Sequence, residues 1–394
     1  MQRRWWVLLA PLSALALVAS ACGGGDDVIG PVESIGQGEG ALNLITWDGY
    51  AEDGSNDPAY DWVHPFQEET GCTVKVQYAN TSDEMVTLMR QGGGTVYDGV
   101  SASGDASNRL IAGGDVAEIN IDLFPEYQDV LEPLQAPPHN TVDGKHYGVP
   151  YMYGPNFLMF NADEVSPAPD SWDITFNSDS PYAGSLTAYD SPIFIADAAM
   201  YLKTAQPDLG IDDPYELTQP QFDAAIALLE QQKPMVTKYW AAFTDEIDGF
   251  ANGSMVAGTA WPINFSLLEA DSHPVDAVVP KEGVTGWADT WMMSSHAQHP
   301  NCMYKWMEYT LRPEVQALVA VWYGAATSNG AACAPLEEAV GDLAHTLRYG
   351  NCGDTSFLDS IYLWKTPSGT CSNGESGCVD YTKWTEAWTE LRGS

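Results

Sequence analysis

The sequence predicts an α/β protein of two lobes, each a mainly parallel sheet flanked by helices. Two observations carry that expectation. Short apolar runs alternate with helical patterns from Ala41 onward. About 370 residues remain once an N-terminal leader is set aside, more than one hydrophobic core comfortably holds.

Leu42 to Thr46 is a short apolar strand. Asp57 and Pro58 read as N-cap and first turn of a helix with Trp62, Val63 and Phe66 on one face, ended by Gly71. Val74, Val76 and Tyr78 alternate, which predicts a second strand over Thr73 to Tyr78. Thr81 with Glu84 makes a capping box for a helix carrying Met85, Leu88 and Met89. Tyr97 to Ser101 fits a third strand and Asp105 to Ala112 a further helix. Lys145 to Asn161 is rich in Tyr, Gly and Pro and suits extended crossing segments, the first crossing falling near Pro150. Ser185 to Ala188 reads as a fourth apolar segment, Val256 to Ala260 as a buried strand, and Gln221 to Gln232 and Pro300 to Leu311 as helices. The expected division is residues 41–150 plus about 287–325 in the first lobe. Residues 151–286 plus about 326–394, with a cysteine-containing tail, make the second.

The N-terminus reads as a processing signal. Arg3 and Arg4 precede an apolar run from Trp5 to Ala19, too short and Ala-rich for a comfortable membrane span. Ala19-Ser20-Ala21-Cys22 resembles a bacterial lipobox, so residues 1–21 are expected to be a signal peptide and Cys22 the lipidated first residue of the mature chain. Residues 22–40, opening with Gly23-Gly24-Gly25-Asp26-Asp27, then form a flexible tether. The predicted place is the outer face of the cytoplasmic membrane or the periplasm, with membrane contact through the lipid alone.

Loss of Arg3 and Arg4 with the leader takes the formal net charge from −38 to about −40. Such a surface repels nucleic acid and anionic lipid and attracts cations, although much of it reads equally as solubility or salt adaptation. Setting Cys22 aside leaves Cys72, Cys302, Cys333, Cys352, Cys371 and Cys378, which in an exported chain imply up to three disulfides. Cys371 with Cys378 is the one pairing the spacing favours. No histidine sits at ligand spacing from a cysteine pair, so no metal site and no cofactor is expected.

The 14 tryptophans are the chemical signature. Trp47, Asp48 and Tyr50 follow the first strand at once, where open α/β sheets bind ligands. Trp261 follows the Val256–Ala260 strand, Trp287 and Asp289 follow Pro280-Lys281-Glu282-Gly283, and Tyr189-Asp190-Ser191 ends the fourth apolar segment. Taken singly, each ring is more simply core or lobe-interface packing. Recurrence of aromatic plus aspartate at several strand ends points instead to a cage for an organic cation: ring faces attract ammonium, and aspartates accept charge-assisted hydrogen bonds.

Leu44-Ile45-Thr46-Trp47-Asp48-Gly49-Tyr50, then Phe66-Gln67-Glu68-Glu69-Thr70-Gly71, resembles the periplasmic spermidine/putrescine-binding proteins. So do Gly148-Val149-Pro150-Tyr151, Val279-Pro280-Lys281-Glu282-Gly283 with Trp287-Ala288-Asp289, and Leu311-Arg312-Pro313-Glu314-Val315, all in the family's order from Ala41 to Gly324. The resemblance implies a two-lobed type II periplasmic-binding-protein fold that closes by a hinge over a ligand in the cleft. It further implies a polyamine-like cargo, an ABC-transporter permease as membrane partner, a monomer, and no catalysis. Trp47 and Tyr50 match the family's first-loop aromatics, Trp261, Trp287 and Asp289 its later aromatic and carboxylate positions, and Asp190 an acid that grips the ammonium. Two positions depart from the pattern. Ile193 stands where the family has a second acid, and Ser103-Gly104-Asp105 stands where it has an aromatic, leaving Asp105 to replace some lost charge.

Two other functions compete with this one. A secreted glycoside hydrolase needs a paired acid and base, and among 54 acids pairs are too easily imagined to count. No Gly-x-Ser-x-Gly, His-Glu-x-x-His or Walker-type loop is present. A sugar or zwitterion receptor on the same fold remains the closer competitor, since fold does not fix function.

Overall fold

The structure is a computed structural model that describes residues 28–374 and 376–393. The expected signal peptide, the expected lipidation at Cys22 and the first residues of the expected tether lie outside the described residues. Three parallel strands open the fold: β1 (Ala41–Thr46), β2 (Thr73–Tyr78) and β3 (Gly99–Ala102). Helices Val63–Thr70 and Ser82–Met89 connect them. A small hairpin, β4 (Thr141–Val142) and β5 (Lys145–His146), precedes β6 (Val149–Pro155). The chain then passes to a second sheet of β7 (Phe157–Asn161), β8 (Leu186–Tyr189), β9 (Val236–Trp240), β10 (Ala257–Ala260) and β11 (Val275–Val278), ordered β11-β7-β10-β8-β9. It returns to the first sheet with β12 (Val284–Met293), β13 (Ala326–Thr327) and β14 (Ile361–Leu363). That sheet runs β13-β6-β12-β3-β1-β2, with β14 beside β12.

The second sheet is covered on both faces. Adjacent Met159 and Phe160 point to opposite sides of β7, one packing with Phe250 and Leu268, the other with Leu186 and Met235. Three disulfides staple the fold: Cys72–Cys302, Cys333–Cys352 and Cys371–Cys378, the last being the pair that spacing favoured.

Several expected boundaries move. β6 stays in the first sheet to Pro155, so the crossing comes at Asn156 rather than Pro150. β13 and β14 also belong to the first sheet, whereas everything beyond residue 325 had been expected in the second lobe; the helix Tyr381–Gly393 does pack there, and Arg348 and Lys365 reach it through Glu269, Asp213 and Glu216. Residues 28–40 are not a free tether. Glu39 accepts the backbone N–H groups of Asn301 and Cys302 at 3.0 and 2.9 Å, satisfying orphan donors where the helix Pro300–Thr310 begins. The first helix starts at Val63 because Asp57 closes a turn onto Ala59, leaving Asp61 to accept the N–H of His64. It ends at Gly71, whose φ of 72° only glycine adopts freely.

Candidate ligand-binding site

Five of the eight residues at the site lie just beyond strand ends. Trp47 and Tyr50 follow β1, Ser103 follows β3, Trp261 follows β10 and Trp364 follows β14. Gly49, at φ 91°, lets the β1 loop turn against Tyr323; an added Cβ would meet that ring at 3.2 Å. Trp287 and Asp289 lie on β12 itself, two residues apart and so on one face. The β12–β6 register slips between Ala288 and Thr290, where β6 carries one extra residue opposite Asp289.

Trp47, Tyr50, Ser103, Trp261, Trp287, Asp289, Tyr323 and Trp364 line one crevice between the two sheets. All are buried, and the free space is about 10 Å³, that of one water-sized sphere. Trp47 and Trp261 meet edge to face across the lobes at 5.7 Å, and Trp261 packs on Trp240 and Tyr189 at 4.8 and 5.1 Å. Trp287 meets Tyr323 at 6.1 Å, and Tyr323 meets Tyr50 at 4.7 Å. A ring of aromatic surface thus surrounds a single carboxylate.

Asp289 accepts hydrogen bonds from Tyr50 Oη at 2.7 Å and from Ser103 Oγ. Burial pushes its carboxyl up to about 7, opposed by those two donors and reinforced by the charge of Asp105. The same burial, with Asp289 beside it, drives the Tyr50 hydroxyl well above its ordinary range. No lysine or arginine is among the described lining residues. The chemistry is that of a desolvated anion inside ring faces, suited to an ammonium group.

Asp48 lines a second, adjoining crevice that shares Trp47, Trp261 and Tyr323 with the first. Its side chain is exposed, and partial desolvation beside the rings raises its carboxyl. Of the eight residues expected at the site, five line the central crevice and Asp48 its neighbour.

The remaining two lie elsewhere. Asp190 accepts from Trp388 Nε1 at 3.0 Å and from the Arg392 guanidinium at 3.1 and 3.2 Å, so its charge is already matched by the C-terminal helix. Asp105 is fully buried, accepts from Ser82 Oγ at 2.8 Å, and has its carboxyl pushed up to about 6 by burial against the opposing pull of Arg109. Neither lines the crevice. Sequence reasoning missed Ser103, Tyr323 and Trp364. Ser103 carries the same strand-end signal as Trp47, but Tyr323 ends a helix and Trp364 follows a three-residue strand too short to read.

A family profile for bacterial extracellular solute-binding proteins matches residues 61–339. The chain belongs to that family. Among curated relatives, the putrescine/agmatine-binding protein of Pseudomonas aeruginosa is 27% identical over 308 residues, covering 71% of this chain and 78% of that one. Among solved structures, the spermidine/putrescine ABC transporter substrate-binding protein of Streptococcus pneumoniae aligns with a TM-score of 0.67 at 18% identity, over 89% of this chain and 97% of that one. A binding protein of A. tumefaciens B6 in complex with glucopine aligns at 0.66 and 16%, over 89% and 99%. The two-lobed periplasmic-binding-protein fold is therefore shared across receptors of different solutes.

Proposed function

We propose that this solute-binding protein is a lipid-anchored, extracytoplasmic receptor that captures a polyamine-like organic cation and hands it to the permease of an ABC importer. The observation that carries the reading is the convergence of Trp47, Trp261 and Trp287 on Asp289 from distant parts of the chain. The ammonium sits against the Asp289 carboxylate, the alkyl chain lies on the indoles, and Asp48 in the adjoining crevice takes a second charge. Desolvated cation–π contacts are worth about 2 kcal/mol each. Names of the curated relatives support the amine class. The net charge draws cations toward the cleft, and the lipobox-like Ala19-Ser20-Ala21-Cys22 supports the anchor.

Lobe closure completes the cage, because Trp47 and Trp261 belong to different sheets. The closed outline is what the permease reads, while energy coupling resides in that partner.

A second reading has one observation in its favour. The indole N–H groups of Trp47, Trp261, Trp287 and Trp364 are buried and have no hydrogen-bond partner, and they suit a solute that also carries an acceptor oxygen. A thermal-shift screen of the mature domain against diamines, a triamine, ω-amino acids and sugars separates the readings. A ligand at 100 times its Kd adds about 2.7 kcal/mol of stability. Shifts with diamines support the amine cargo, and shifts confined to ω-amino acids or sugars would overturn it.

A further inference from the structure

The C-terminal tail contributes a wall to the cleft that the family profile, ending at residue 339, does not reach. Trp364 lines the crevice beside Asp289, Trp261 and Trp287 and is only 2% exposed. Its ring lies nearly parallel to Tyr189, at 10° and 5.8 Å between centroids.

The backbone at Trp364 is held from both sides. Its backbone N–H donates to Gly286 O at 2.7 Å, tying the tail to β12 one residue before Trp287. The Trp364 carbonyl lies against Gly104 so closely that an added Cβ there would fall 1.7 Å away. Lys365 Nζ pairs with Asp213 and Glu216 at 2.7 and 2.6 Å, and Thr366 Oγ1 donates to Asp105 O at 2.7 Å. These contacts fix the backbone that carries Trp364, and the indole itself is held by its stack on Tyr189 and its burial in the crevice, so a larger solute has to displace it from both.

We propose that Trp364 is a specificity-determining residue that caps the length of the cargo, so the receptor selects a short diamine over a longer polyamine. The inference rests on the amine reading above. Besides the indole, the other acids deny a long cation its further grips. Asp190 is neutralised by Arg392, Asp105 lies outside the crevice, and Ile193 carries no charge. One ammonium meets Asp289 and the next is left with Asp48.

The test is a titration of the full mature protein with α,ω-diamines of three to six carbons and a linear triamine, for wild type, Trp364→Ala and Trp364→Phe. Wild type should favour the short diamines. Trp364→Ala should raise the triamine-to-short-diamine affinity ratio at least tenfold, and Trp364→Phe, which keeps a ring on Tyr189, should move it the same way by less. Should Trp364→Ala fail to fold, the direction of the Phe variant decides. Uniform weakening of every amine, or an unchanged ratio, would overturn the proposal while leaving the amine reading intact. Failure of wild type to bind any amine would bring down both.

Discussion

Asp289 concentrates the chemistry of the site in one side chain. Its carboxyl is pushed up to about 7 by burial, and a bound ammonium favours the ionised form, so cargo capture releases a proton below that pH. Affinity for an amine should therefore be full above about pH 7 and fall by up to about tenfold per unit below it. Asp289→Asn should remove that slope and cost about 1.5–3 kcal/mol, some ten- to hundredfold in Kd. Calorimetric titrations at pH 5.5, 6.5 and 8 check both, and a flat profile for the wild type would contradict the role. Trp47 and Trp261 were legible in the sequence because the strand-end rule is local and each sits just after a run that reads as a strand; Asp289 was reached through the Pro280-Lys281-Glu282-Gly283 turn before it and the family resemblance. Asp190 obeyed the same rule and misled. Its partner Arg392 stands 202 residues away, and no local pattern announces an ion pair of that separation.

At the scale of elements, β12 and the C-terminal helix do the most to shape the cleft. The bulge opposite Asp289 was not legible, because an extra residue in a strand leaves no mark on an all-buried run such as Val149–Pro155. The helix Tyr381–Gly393 packs on the second lobe through Trp384 against Phe222 and Trp388 against Phe194. Tyr381, at its start, reaches the first lobe: its hydroxyl donates to Asp83 at 3.1 Å and Arg109 stacks over its ring at 4.3 Å. That contact spans the cleft, so Tyr381→Leu should speed solute release by roughly two- to thirtyfold, the equivalent of a cation–π contact of about 0.5–2 kcal/mol. Stopped-flow tryptophan fluorescence reads the rate, and an unchanged release rate would sink the idea. Disulfides act through the unfolded chain. Cys72–Cys302 closes a span of 230 residues and Cys371–Cys378 a span of 7. Chain entropy then gives about 5 against about 2 kcal/mol, so replacing the first pair with serines should lower the denaturant midpoint more. An equal or reversed loss would show that native-state contacts, not loop closure, dominate.

For the whole molecule, two sheets and a cleft between them were foreseen from strand–helix alternation and length. The final placement of the tail was not, because β13 and β14 are two and three residues long. Charge acts at this scale too. Burial pushes the carboxyls of Asp105, Asp197 and Asp289 to about 6, 7 and 7, and that of Glu246 well above its usual range. Each folded-state value exceeds the unfolded one, so the stability they contribute is fully present below about pH 4 and is lost as pH rises through 6 to 7. Self-repulsion of an acidic surface reinforces the trend and is relieved by salt. The unliganded domain should therefore melt higher at pH 5.5 than at pH 8, with the gap narrowed by Asp197→Asn. A melting temperature that rises with pH over this window would contradict it.

The most direct test is a crystal structure of the mature domain grown with a short α,ω-diamine. An amine nitrogen within hydrogen-bonding distance of the Asp289 carboxylate, with the carbon chain lying against Trp47, Trp261 and Trp287, is the predicted result. A diamine bound away from those rings, or a cleft that stays shut around them while the solute occupies the outer groove beside Phe265 and Arg348, would contradict it.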